Sequence, residues 1–185
     1  MGVFGQVMRS AVFLDRDGVI NRAAVRDGKP YPPALLRDLE ILPHVPEALN
    51  AMKAKGYSLV VVTNQPDVAR GTSSRELVDR IHERLKSELD LDAILTCFHD
   101  DADACGCRKP KPGLLLQAAH DFDIDLTSSF MVGDRWSDVE AGRRAGCRTL
   151  FIDCRYDEEP PSSCDFRAGS LIEASRIILA QVDSR

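Results

Sequence analysis

A short apolar run that stops abruptly at carboxylates leaves a chain few options. Ala11 to Leu14 is such a run, and it ends in Asp15-Arg16-Asp17-Gly18. Short apolar runs bounded by turn signals read as buried strands. An uncompensated buried carboxylate is costly, so a strand that ends in two of them must deliver their charge to a partner. A hard cation such as Mg²⁺, with oxygen ligands and a phosphate, would meet that need. Gly18 removes the Cβ where the chain has to turn. Taken alone, the stretch also reads as a strand end followed by a solvated turn.

Three further runs narrow the choice. Ser58 to Val62 ends in Thr63-Asn64-Gln65, and Phe130 to Val132 ends in Gly133-Asp134-Arg135. Ala93 to Phe98 is followed a little later by Arg108-Lys109-Pro110-Lys111-Pro112. Between and after the runs, apolar residues recur at helical spacing over 45–55, 73–89, 113–122, 137–145 and 171–182, and Thr149 to Ile152 reads as a fifth strand. Strands alternating with helices predict a parallel α/β sheet, whose ligand site lies beyond the C-terminal strand ends at the switch in strand order. The polar stretch from Asn21 to Leu42, with Pro30, Pro32 and Pro33, reads as a long connection that can flap over that site.

The chain of 185 residues predicts one domain over 1–185, with residues 1–9 as a loose N-terminal extension and Met8 as an alternative start. The net charge of -5 argues against nucleic acid or an anionic membrane surface as partner. A small anionic substrate would need a locally basic pocket, which Arg108, Lys109, Lys111 and Arg135 can supply. No apolar run is long enough to span a bilayer. With no secretory signal pattern, the expectation is a protein of the reducing cytoplasm, and a monomer satisfies the sequence, which leaves the oligomeric state open.

Half of the six cysteines fall within Cys97-Phe98-His99 and Cys105-Gly106-Cys107. Residues two apart in extended chain share a face, so each pair can converge on one ion. Three thiolates and an imidazole suit a structural, tetrahedral Zn²⁺. A disulfide, or a loop with incidental cysteines, is the alternative.

The four run ends, in this order, resemble the motifs of the haloacid dehalogenase superfamily of aspartate-nucleophile phosphohydrolases. Asp15 and Asp17 match its Asp-x-Asp, Thr63 its hydroxyl residue, Lys109 its lysine, and Gly133-Asp134 with Asp138 its acidic motif. Lys111 also qualifies for the lysine, although the Lys-Pro-x-Pro order favours Lys109. The resemblance implies a Rossmann-like three-layer α/β sandwich with a central parallel sheet. It also implies phosphoryl transfer to Asp15, with Asp17 as general acid and base, and Thr63 and Lys109 holding the transferring oxygens. Mg²⁺ would be held by Asp15, Asp134 and the backbone carbonyl of Asp17, and Asp138 would support Lys109 or the metal. The interval between Asp15 and Thr63 is too short for the cap domain many relatives insert, so a capless fold with a zinc-binding loop is expected. Within the superfamily, Asp-Arg-Asp-Gly-Val-Ile-Asn, Thr-Asn-Gln, the Cys/His set and Cys-Arg-Lys-Pro resemble the capless histidinol-phosphate and heptose-bisphosphate phosphatase branch. Asn64, Arg108 and Lys111 are the expected substrate contacts, with Arg108 placed to meet a second phosphate. The heptose bisphosphate is favoured, because histidinol phosphate carries cationic groups that fit a basic pocket less well. A broad small-molecule phosphatase, and a non-catalytic zinc- and phosphate-binding module, are the remaining readings.

Overall fold

The computed structural model describes residues 8–181. Six parallel strands form the central sheet: β1 (Ala11–Leu14), β4 (Ser58–Asn64), β5 (Ala93–Cys97), β6 (Phe130–Gly133), β7 (Arg148–Ile152) and β8 (Phe166–Ala168), in the order β5-β4-β1-β6-β7-β8. Two short strands, β2 (Ala24–Arg26) and β3 (Lys29–Tyr31), make a separate antiparallel hairpin. The helices are α1 (Val45–Ala54), α2 (Arg75–Glu88), α3 (Gly113–Phe122), α4 (Trp136–Ala145) and α5 (Leu171–Ala180).

The three layers follow from the strand period of two. Along β1, Val12 and Leu14 point to the face covered by α1, α2 and α5, where they meet Leu49, Met52, Ile81, Leu85 and Ile178. Ala11 and Phe13 point to the other face and meet Leu114, Leu115 and Ala118 of α3 and Ala141 of α4. Both faces are dry, which is why the strands read as unbroken apolar runs rather than alternating ones. From β1 the chain builds outward through β4 to β5, then returns to the far side of β1 for β6, β7 and β8. The switch point therefore lies between β1 and β6, where Asp15 N donates to Val132 O at 2.9 Å.

Three differences from the sequence reading stand out. The sheet has a sixth strand, β8, too short to leave a periodic signal. The polar connection after β1 contains the hairpin, turned by Asp27 and Gly28 with φ of 49° and 72° and docked by Asp157 N to Gly28 O at 2.8 Å. Of the expected loose extension, residues 1–7 lie outside the described residues, and Arg9 is held rather than loose, by backbone hydrogen bonds to Asp123 and Asp125. Between β1 and β4 the chain holds only the hairpin, a 3₁₀ turn at Leu36–Asp38 and α1, so no cap domain is inserted there. Among the described residues, no helix is long and apolar enough to cross a membrane.

Candidate active site

The C-terminal ends of β1, β4 and β6, with the segment after β5, open into one cavity of about 300 Å³. Asp15, Asp17, Thr63, Asn64, Lys109, Asp138 and Arg108 all line it. The turn after β1 is closed by Gly18 N to Asn21 O at 2.7 Å and by Ile20 N to Arg16 O at 2.9 Å, with Gly18 at φ +91°. A Cβ on Gly18 would sit 1.9 Å from an Asp134 carboxylate oxygen, so only glycine lets the β1 turn lie against the β6 end.

Lys109 is the hub of this arrangement. Its buried ammonium lies 2.6 Å from Asp15 Oδ1 and 2.6 Å from Asp138 Oδ1, and it donates to Val62 O at 2.8 Å. Its backbone is clasped by the Asn64 amide in both directions, each hydrogen bond 3.1 Å long. Burial works to lower its pKa, but Asp138 and Asp15 outweigh this and hold it above the ordinary lysine value. Asp138 also accepts from Arg135 N at 3.0 Å, so one carboxylate both caps α4 and orients the lysine. Gly133 makes room for it, since a Cβ there would lie 2.1 Å from Asp138 Cβ.

Burial pushes the Asp15 carboxyl up to about 6; Lys109 opposes the rise, and the Asp138 and Asp17 carboxylates add to it. Asp134 is raised well above the usual carboxylate range by burial and by Asp15 and Asp138. Both Asp134 carboxylate oxygens are buried without a hydrogen-bond partner of good geometry. Oxygens of Asp15, Asp134 and Asp138 lie within 4.8 Å of one another. Three buried carboxylates facing a single lysine leave negative charge uncompensated, and an all-oxygen donor set fits a hard divalent cation.

Asp17 lines the same cavity but is not one of those three clustered carboxylates. Arg16 Nε and Nη2, Asn21 Nδ2 and Gln65 Nε2 all donate to its carboxylate at 2.8–3.2 Å. Gln65 Nε2 also donates to Thr63 Oγ1 at 2.9 Å, which ties the Thr63 hydroxyl to the same group. Arg16 and Gln65 are buried and were missed as site residues. Their place inside the first two motifs was the available signal.

The rim is mixed in charge. Arg108 Nε reaches Asp101 at 2.7 Å, Arg70 pairs with Asp100 at 2.9 Å, and Arg135 pairs with Glu158 at 2.7 Å. Arg108 Nη1 is buried and has no partner. Lys29 and Tyr31 bring the hairpin to the same cavity. Lys111 lies elsewhere: its ammonium donates to Ala104 O and Cys105 O at 3.0 and 2.6 Å, bracing the cysteine loop, and it does not line the cavity.

The four sulfur and nitrogen groups of that loop converge. Cys97 Sγ lies 2.8 Å from Cys107 Sγ and 3.7 Å from Cys105 Sγ, and His99 Nδ1 lies 3.3 Å from Cys107 Sγ. All four donor atoms fall within 4.8 Å of one another, and the cysteines are free thiols. Three sulfurs and one imidazole nitrogen are a donor set that can hold zinc.

Residues 16–146 match the family model described as haloacid dehalogenase-like hydrolase. The chain is 40% identical over 154 residues to the D-glycero-beta-D-manno-heptose-1,7-bisphosphate 7-phosphatase of Photorhabdus laumondii, covering 77% of this chain and 79% of that one. It is 37% identical over 159 residues to the D-glycero-alpha-D-manno-heptose-1,7-bisphosphate 7-phosphatase of Burkholderia mallei, covering 80% and 81%. Among solved structures, the D,D-heptose 1,7-bisphosphate phosphatase of B. bronchiseptica, complexed with magnesium and phosphate, superposes with a TM-score of 0.80 at 27% identity, covering 93% of this chain and 99% of that one.

Proposed function

The chain belongs to the haloacid dehalogenase-like hydrolase family and is a phosphoric monoester hydrolase; from that premise we propose that it removes the 7-phosphate of D-glycero-D-manno-heptose 1,7-bisphosphate. The observation that carries the chemistry is Lys109, which gathers Asp15 and Asp138 at 2.6 Å beside the buried Asp134 carboxylate, which among the described residues has no cationic partner of its own. Asp15, Asp134 and the Asp17 carbonyl would hold Mg²⁺, which when bound neutralises charge so that an anionic nucleophile can meet an anionic phosphate.

Asp15 attacks phosphorus, the bond to the sugar oxygen breaks, and an aspartyl-phosphate forms. Asp17 gives its proton to the departing sugar oxygen. It then takes a proton from the water that attacks the aspartyl-phosphate, which releases inorganic phosphate and restores Asp15. Thr63 and Lys109 hold the transferring oxygens as charge develops on them.

The substrate reading rests on the named relatives and on Arg108, which lines the same cavity and keeps its Nη1 without a hydrogen-bond partner. A second phosphate on the sugar would meet this guanidinium in a charge-assisted hydrogen bond. Cys97, His99, Cys105 and Cys107 would hold a structural Zn²⁺ that anchors the loop leading into Arg108 and Lys109. Such a thiol set suits a reducing compartment, so we place the enzyme in the cytoplasm, acting on a small phosphorylated sugar.

The test is phosphate release with Mg²⁺ from both anomers of the heptose bisphosphate, from histidinol phosphate and from hexose monophosphates, with Asp15→Asn as the blank. The bisphosphate should be the preferred substrate, and Asp15→Asn should abolish release. Arg108→Gln should raise KM for the bisphosphate by roughly 10-fold or more, about the worth of one charge-assisted hydrogen bond, and leave monophosphates nearly unchanged. Preference for histidinol phosphate would keep the chemistry and replace the substrate.

A further inference from the structure

Behind Asp17 a buried polar chain runs into helix α2. Arg16 is fully buried, and a buried guanidinium is costly unless its N–H groups are paired. Its Nε and Nη2 face Asp17, at 3.2 and 2.8 Å from Oδ2. Its Nη1 turns the other way and lies 3.0 Å from Nε2 of His82, which is 9% exposed. A guanidinium can only donate, so Nε2 must present its lone pair, and the imidazole is neutral with its proton on Nδ1. The environment agrees, since burial and the adjacent Arg16 hold His82 down to about 3.

Asn21 and Gln65 also touch Asp17, but both come from loops at the site. His82 is the group that ties the set to a helix: it lies on the buried face of α2 with Val78, Ile81 and Leu85. Among the described residues, Nη1 of Arg16 hydrogen-bonds to no side chain but His82, so an apolar group at position 82 would leave it unpaired in the interior. The guanidinium would then turn toward another acceptor or admit water, and its fork on Asp17 would loosen.

We propose that His82 is a positioning residue for the reaction: it holds Arg16 by accepting a hydrogen bond, and Arg16 in turn fixes the carboxylate of Asp17. The inference rests on the reading that Asp17 handles the proton of the leaving group. Loss of His82 therefore weakens the steps that need that proton more than the attack of Asp15.

The experiment compares kcat/KM for the heptose bisphosphate, whose alkoxide leaving group needs a proton, with that for p-nitrophenyl phosphate, whose phenolate leaves without one. The full-length enzyme with Mg²⁺ is assayed as wild type, Asp17→Asn, His82→Leu, His82→Phe and His82→Gln. Both substrates report on the same folded molecules, so partial unfolding cancels in the ratio, and two apolar variants guard against one failing to fold. Asp17→Asn should lower the sugar-to-aryl ratio by about 100-fold, the usual lower bound for general acid catalysis. His82→Leu and His82→Phe should lower it by about 10-fold. His82→Gln keeps an acceptor and should restore it to within about 2-fold of wild type. An unchanged ratio in the two apolar variants, with Asp17→Asn still depressed, overturns the role of His82. An unchanged ratio in Asp17→Asn overturns the acid reading itself, and the positioning role falls with it.

Discussion

At the scale of single residues, the site depends on close approach as much as on charge. Gly18 and Gly56 have nearly the same backbone, with φ of +91° and +88°, but different surroundings. A Cβ at Gly18 meets Asp134 Oδ2 at 1.9 Å and the Tyr156 hydroxyl at 2.7 Å, whereas nothing lies within 4 Å of one at Gly56. Gly56→Ala should cost about 1 kcal/mol from the left-handed backbone alone and leave turnover intact. Gly18→Ala should cost more and push Asp134 off its position, raising the Mg²⁺ concentration for half-maximal activity by 10-fold or more. Urea unfolding and Mg²⁺ titration of the two variants check this, and equal effects would refute it. Asp15, Thr63, Lys109 and Asp134 were legible in the sequence because each ends or follows an apolar run. Arg16 and Gln65 sit inside the same motifs, but a side chain's burial and aim are set by what packs around it.

At the scale of elements, α2 and the cysteine loop each carry a testable role. Ser74 caps α2 by accepting from Leu77 N at 3.1 Å. Ser74→Ala should cost about 1 kcal/mol in urea unfolding, the usual worth of an N-cap. The cysteine loop packs directly on α3, with Gly113 N to Gly106 O at 3.2 Å, and feeds into Arg108 and Lys109. Stripping zinc with a chelator that leaves Mg²⁺ in place should lower kcat at least several-fold and restore on adding zinc back. Turnover unmoved by measured zinc loss would count against a link between loop and lysine. The hairpin was the element that pattern reading overlooked. Its strands are three residues each and mostly exposed, so they carry no alternation, and Asp27-Gly28 was the usable signal.

At the scale of the whole molecule, the buried network makes stability depend on pH. His82 is held down to about 3 when folded and has its ordinary value of about 6.5 when unfolded. As pH falls through that window the unfolded chain gains a proton that the folded chain refuses, so stability is present above about 6.5 and lost toward 3. The slope from this one group is at most about 1.4 kcal/mol per pH unit. His82→Gln should therefore show a shallower loss of urea stability between pH 7 and pH 4 than wild type, and parallel curves would refute the assignment. The sequence by itself determined the α/β class, the order of motifs, the parallel core strands and the zinc-type donor set, because strand and helix periods and ligand spacing are local properties. Only the tertiary structure determined that Lys109 rather than Lys111 enters the site, that Lys111 braces the cysteine loop, and that His82 stands behind Asp17. Those facts depend on which faces of distant segments meet across the switch point between β1 and β6, and no local pattern along the chain encodes that distance.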